Sequence, residues 1–298
     1  AQSLGRRRRS ASGRRSRWPL SMNSNSTQES QTLKPFGLII IGDEILSGRR
    51  QDKHFPQVLE MLQKRGLALA WVEYLGDDRA RLTRLLKASF ATDDIVFCCG
   101  GIGATPDDHT RQAAAAALGE ELALHPVARE RIAARCADMA AEGTGSADMS
   151  TPENLQRLKM GEFPVSAEII ENPYNRIPGF RVRDHSFVPG FPVMAWPMIE
   201  SLLDARYADL HHRDTLAEDS FFAIGLPESR ITPALEKAER DFDGVRVFCL
   251  PSANDDPALR HLELGVKGPA ARLPAALDFL RQTVVELGGK IIPAPQIS

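Results

Sequence analysis

Cysteine is scarce in this chain. Four cysteines occur among 298 residues with no even spacing, which excludes a disulfide-stapled scaffold and fits a reducing compartment. No apolar run approaches the roughly 18 residues that a membrane-crossing helix needs, so no membrane partner is expected. Also missing are a Gly-x-Ser-x-Gly elbow, a glycine loop closing on Gly-Lys-Ser/Thr, and any internal repeat. Acidic residues are absent locally: the first 21 residues hold seven Arg and no Lys, Asp or Glu. The net charge of −2 therefore hides a remainder that carries −9. An acidic body argues against nucleic acid as a partner, because such binding draws on Lys and Arg set against phosphates. A core is well supplied, with 43% hydrophobic residues against 26% charged.

Residues 1–33 are rich in Arg and Ser and offer little to bury, so they read as a disordered basic tail. The apolar segment that a secretory leader would carry after Arg6–Arg9 is missing. Met22 is a candidate start, so the first 21 residues read either as an upstream extension or as a genuine tail. The expected location is the cytoplasm.

From Phe36 the pattern changes. Residues 36–41 and 95–99 are short continuous apolar runs of the kind buried on both faces of a parallel sheet. A third strand is expected over 67–75, and helices over 55–65, 78–91, from 109, over 126–142 and over 193–206. Strand–helix alternation implies right-handed crossovers with helices on both sides of the sheet. Residues 143–151 read as a flexible loop, and 168–192 as Pro- and Gly-rich chain ending in a rigid turn. From about 213 the order becomes strand, helix, strand, strand, helix, strand, a split βαβ arrangement. The expected domains are therefore an α/β unit over 34–212 and a small α+β unit over 213–298.

The most informative stretch runs from Ile95 to Thr110. An apolar strand delivers Gly100, Gly101 and Gly103, and a helix follows. Bare main-chain N–H groups beside a helix N-terminus make an anion cradle. The loop misses the dinucleotide fingerprint, since Pro106 stands where a third glycine is needed. The alternative is a tight turn capped by Asp108 or Thr110, with no ligand. Asp107 and Asp108 would repel an anion unless Mg²⁺ bridges them to phosphate. Gly42-Asp43-Glu44 and Gly76-Asp77-Asp78 follow the other two strands. If the strands are parallel, three acidic clusters share one rim, where ligands of open α/β sheets collect. Asp78 reads as a helix cap.

Taken together, Gly42 to Gly48, Gln51-Asp52-Lys53, Gly76-Asp77, Gly100 to Gly103 and Asp107 to Thr110 resemble one family. It is the molybdopterin-binding domain shared by MogA/MoaB-type cofactor proteins and the competence/damage-inducible protein A (CinA-like) family. The resemblance is strong over 36–120. It continues more loosely through Asn172, Pro178-Gly179-Phe180 and Pro189-Gly190-Phe191-Pro192. It implies a three-layer αβα sandwich with a mainly parallel sheet, and a pocket for molybdopterin or a nucleotide. The implied contacts are Gly42, Asp43, Glu44, Ser47, Gly48, Asp52, Gly100, Gly101, Gly103, Thr105, Thr110, Pro189 and Gly190. Asp77 and Asp108 would be catalytic, and Asp77, Asp107 and Asp108 would hold Mg²⁺. Adenylyl transfer and metal-dependent pyrophosphate cleavage of ADP-ribose- or FAD-like dinucleotides are the implied reactions. A non-catalytic scaffold with an inactive pocket is the third reading. By analogy a homo-oligomer is expected.

The chain departs from the family pattern at Lys53-His54, Ala104, Asn175 and Met194. Met194 stands where an acid is expected, which weighs against hydrolysis more than against binding. The resemblance does not extend to the amidohydrolase domain of longer competence proteins, so nicotinamide mononucleotide deamidation is not expected. Cys98-Cys99 has poor metal spacing and reads as core, as do Cys136 and Cys249. Trp71 and Trp196 are expected in or near the core, and His211-His212 at a solvated helix end.

Overall fold

The computed structural model describes residues 34–212, 216–252 and 260–294. The expected basic tail lies outside the described residues, as does the point near 213 where the two domains were expected to meet. The chain runs β1 (Phe36–Ile41), α1 (Asp43–Leu46), α2 (His54–Gln63), β2 (Leu69–Leu75), α3 (Arg79–Ser89), β3 (Ile95–Cys99) and α4 (Thr110–Leu118). It continues through β4 (Leu122–Leu124), α5 (Pro126–Ala141), α6 (Pro152–Leu158), β5 (Glu162–Pro164), β6 (Glu168–Ile170), β7 (Gly179–Val182), β8 (His185–Val188) and α7 (Pro192–Arg206). The remaining elements are β9 (Leu216–Ile224), α8 (Glu228–Asp241), β10 (Arg246–Pro251), β11 (Leu262–Pro269), α9 (Leu273–Glu286) and β12 (Lys290–Ile292).

A six-stranded sheet has the order β2-β1-β3-β8-β7-β6. Its first four strands are parallel, and β7 and β6 add antiparallel at one edge. The continuous apolar runs are explained by burial on both faces. Phe36, Leu38 and Ile40 of β1 join Ile95, Phe97 and Cys99 of β3 in a core with α2 and α7. Ile39, Ile41, Val96 and Cys98 face the opposite core, which includes residues of α3 and α4. The adjacent cysteines thus point to opposite sides, and burial pushes both thiols up, so neither is a reactive thiolate. This is a three-layer αβα sandwich with a mainly parallel sheet.

Sequence periodicity does not announce β6, β7 and β8 within 168–192, because these strands have only three or four residues. Packing holds them instead. Phe163, Phe180 and Phe187 stack, with ring centroids 4.8 Å apart for the first pair and 4.4 Å for the second. The loop expected to be flexible over 143–151 is tied at two points. Buried Asn154 donates to the carbonyls of Ser146 and Asp148, each at 2.8 Å. Thr151 caps α6 by accepting from the Asn154 N–H.

The second sheet, β10-β11-β9-β12, is antiparallel throughout. Residues of α8 and α9 share a separate core with it, including Phe221, Leu264, Val266, Ile231 and Leu280. Cys249 is half-buried rather than fully enclosed. No helix among the described residues is long and apolar enough to cross a membrane.

Candidate functional site

Four parallel strands all deliver their carboxyl ends to the same rim of the sheet. Gly42 follows β1, Asp77 follows β2, Gly100 follows β3 and Pro189 follows β8. A cleft of about 680 Å³ opens there. Its lining includes Gly42, Glu44, Asp77, Gly100, Gly101, Gly103, Thr105, Asp107, Asp108, Pro189 and Gly190.

The glycine loop has a specific polarity. Gly100 and Gly101 take φ of +111° and +66°. A Cβ on Gly101 would strike the Thr110 hydroxyl, and one on Gly100 the Ile41 carbonyl. The loop carbonyls are turned to protein donors. Gly100 O accepts from the Thr110 hydroxyl at 3.0 Å, and Gly101 O from the Thr110 N–H at 3.0 Å. Gly103 O accepts from Arg111 Nη2 at 2.6 Å, and Ala104 O from Gln156. Among the described residues, the N–H groups of Gly101, Ile102, Gly103 and Ala104 donate to no protein acceptor. Four successive free donors, on a loop whose carbonyls apart from that of Ile102 are occupied, form an arrangement that can cradle an anion.

Arg111 is the residue that sequence reasoning missed. It is almost fully buried, and its other guanidinium arm donates to the carbonyl of Lys159. Burial pulls its pKa below the ordinary guanidinium value. The signal was present: Arg111 is the only charged residue in a helix otherwise made of Thr, Gln, Ala and Leu.

The acids divide into distinct groups. Asp43 and Asp77 clasp each other across the ends of β1 and β2. Asp77 Oδ2 accepts from the Asp43 N–H at 2.9 Å, and Asp43 Oδ1 from the Asp77 N–H at 3.2 Å. Burial raises the Asp77 pKa, and Asp43, Glu44 and Asp107 add to the rise. Asp108 accepts from both the N–H and the hydroxyl of Thr105, closing the loop on itself. The Thr105 hydroxyl also holds the Asp107 carboxyl below the usual range. Arg49 and Arg50 also line the cleft and bring positive charge to it.

Several expected contacts do not reach the cleft. Asp52 spends its carboxylate on the N–H groups of His54 and Phe55, at 2.8 and 3.1 Å, and on the Tyr74 hydroxyl. Its carboxylate thus caps the start of α2. Thr110 is buried and its hydroxyl is committed to Gly100. Asp43, Ser47 and Gly48 also lie outside the cleft lining. Neither Asp108 nor Thr110 caps α4 through its side chain; His109 occupies that position without a side-chain bond. Asp78 does cap α3, accepting from the Arg81 N–H at 2.9 Å. No group of three or more His, Cys, Asp or Glu among the described residues is placed to hold a metal ion.

A family profile described as "probable molybdopterin binding domain" matches residues 37–209. This chain belongs to the molybdopterin-binding domain family. A CinA-like protein of Mycobacterium marinum is 30% identical over 71% of this chain and 52% of its own length. A protein of Thermoplasma acidophilum is 28% identical over 87% of this chain and 99% of its own. The chain thus spans about half the length of the Mycobacterium relative and nearly all of the Thermoplasma one. The solved CinA of Thermoplasma acidophilum is 26% identical, covering 57% of this chain and 98% of that one, with a TM-score of 0.48. MoaB of Thermus thermophilus, a molybdopterin biosynthesis enzyme, is 18% identical, covering 60% of this chain and 96% of that one, with a TM-score of 0.37.

Within this molybdopterin-binding domain, four of the positions noted above as departing from the resemblance, His54, Ala104, Asn175 and Met194, lie at or beside the cleft. His54 Nε2 is 3.0 Å from the Gly190 carbonyl and joins α2 to the turn that lines it. Asn175 and Met194 line the wall and touch, with Asn175 Nδ2 donating to Met194 Sδ at 3.3 Å.

Proposed function

We propose that this molybdopterin-binding domain binds a phosphate-bearing pterin or nucleotide, its phosphate seated on the loop from Gly101 to Ala104. The observation that carries the reading is the run of four free N–H donors whose neighbouring carbonyls are all but one occupied. Each charge-assisted bond to phosphate contributes about 1.5–3 kcal/mol. Arg49 and Arg50 offset the acids of the rim. The test is a thermal-shift titration with AMP, ADP-ribose, FAD and molybdopterin, with and without Mg²⁺. A ligand at about 100 times its Kd stabilises the fold by about 2.7 kcal/mol. The absence of any shift would support the scaffold reading instead.

A second reading is a Mg²⁺-dependent pyrophosphatase of ADP-ribose- or FAD-like dinucleotides. It is favoured by the acids Asp77, Asp107 and Asp108, which line the same cleft as the cradle. Mg²⁺ is commonly held by one or two carboxylates together with ligand phosphates, and this donor set fits that mode. Asp77 or Asp108 would hold the ion, which would polarise the phosphate and activate water. The protein's own part is to fix the phosphate on the amides and keep Asp77 oriented through the Asp43 N–H. Metal-dependent AMP release from ADP-ribose, lost in Asp108→Asn, would separate turnover from binding alone.

A further inference from the structure

Arg111 does not line the cleft, yet it touches the loop that does. It is only 2% exposed, and it donates to Gly103 O at 2.6 Å. Its other arm reaches the carbonyls of Lys159 and Glu162. All three acceptors are main-chain oxygens, and its buried Nε has no partner among the described residues. A buried guanidinium is ordinarily matched by a carboxylate in contact with it. Here burial pulls its pKa down, and Glu162 and Asp108 offset this only through space. Neutral donors suffice for carbonyls, so hydrogen bonding alone does not account for a buried cation at this place.

The covalent structure of the loop shows where the charge acts. The Gly103 C=O and the Ala104 N–H belong to one peptide unit, and resonance links them. A cationic donor on the oxygen draws electron density from the nitrogen and strengthens its N–H as a donor. The Ala104 N–H is one of the four that donate to no protein acceptor among the described residues. The hydroxyl and N–H of Thr110 act in the same sense on the peptides that carry the Gly101 and Ile102 N–H groups, but without a charge. Arg49 and Arg50 are exposed, so salt screens them more than it screens a buried guanidinium.

We infer that Arg111 is a positioning residue for the anion: acting through the Gly103–Ala104 peptide, it sets a positive charge behind the cradle and makes the Ala104 N–H its strongest donor. This inference rests on the phosphate seat proposed above and adds the source of its countercharge.

The test is calorimetric titration of the full chain with inorganic pyrophosphate, in wild type, Arg111→Lys and Arg111→Gln. Lysine keeps the charge and loses the planar fork, whereas glutamine keeps amide donors for the carbonyls and loses the charge. Arg111→Gln is expected to bind about tenfold or more weakly, and Arg111→Lys to stay within about threefold of wild type. Wild-type affinity in Arg111→Gln overturns the inference. Losses of the same size in both variants also overturn it, since they mark a clamp that needs only its shape. If the wild type does not bind pyrophosphate, the phosphate seat itself fails and the inference falls with it. A second measurement needs no variant and decides the matter even if the glutamine chain does not fold. In wild type labelled uniformly with nitrogen-15, pyrophosphate is expected to shift the Ala104 amide proton further downfield than those of Gly101, Ile102 and Gly103. A larger shift at any of those three overturns the inference.

Discussion

The two sheets of this chain use similar materials and reach different ends. Both pair strands with helices over an apolar core. In the six-stranded sheet, β1, β2, β3 and β8 run parallel, so the loops that follow them gather at one rim. In the four-stranded sheet every neighbouring pair is antiparallel, so successive strand ends fall on opposite edges. Direction, more than composition, decides where a site can be assembled: glycines, acids and arginines far apart in sequence converge only where strands end together. The helices of the second sheet also bury their apolar faces, while every residue lining the cleft described above comes from the chain before that sheet.

The largest expected effect that sharpens this contrast is on stability against pH. His185 in β8 is buried and its pKa is held down to about 4, with burial as the main cause. In the unfolded chain it titrates near 6.5, so the unfolded state takes up the proton first as pH falls. Stability is therefore present above that value and lost as pH drops through about 4, by roughly 3 kcal/mol. Urea unfolding of wild type and His185→Gln across this range checks it; a profile equally steep in the variant counts against the assignment.

Next in size is a pair of glycine substitutions. Gly101→Ala forces a Cβ into a left-handed conformation and against Thr110, at about 2–3 kcal/mol. Gly225 follows β9 with φ of +77° and open space around it, so Gly225→Ala costs only about 1 kcal/mol. Melting temperatures rank the two, and pyrophosphate titration is expected to show binding lost only in the first. Equal effects would erase the distinction between a built loop and an ordinary turn.

A smaller change separates architecture from ligand contact within the rim. Asp52→Ala removes the cap of α2 and the Tyr74 partner, for about 1 kcal/mol. Pyrophosphate affinity is expected to stay as in wild type; a matching loss of binding would return Asp52 to the ligand set. The smallest effect belongs to Asp77. Its raised pKa means that the folded chain takes up the proton first as pH falls, so its charged form opposes folding at neutral pH. Asp77→Asn is expected to raise stability slightly at pH 7 and to tighten metal-free pyrophosphate binding severalfold. With Mg²⁺ present the variant should bind more weakly than wild type, and a gain under both conditions would remove Asp77 from any metal role.

Much of the fold was legible because burial writes itself into sequence. The runs at 36–41 and 95–99 read as strands covered on both faces, and the helical spacing of Leu82, Leu85 and Leu86 marked α3. The short strands β6 to β8 were not legible, since three or four residues carry too little periodicity and are held by the stacked Phe163, Phe180 and Phe187. At the site, the glycines and acids were visible as types. Their assignments were not, because a carboxylate that caps a helix and one that meets a ligand look alike in a chain. Asp52 and Asp77 show this: one caps α2, and the other lines the cleft, held by the Asp43 N–H.

Sequence alone therefore determined the strand and helix order, the convergence of acids after parallel strands, and the family to which the chain belongs. Tertiary structure decided which polar groups remain free. Hydrogen-bond partners are set by tertiary neighbours, so only the folded chain shows that Arg111 and Thr110 donate to the loop carbonyls while the N–H groups from Gly101 to Ala104 have no acceptor among the described residues. The same holds for Asn175, whose donor is oriented by Asn172 and Ile177 through contacts that no spacing rule encodes.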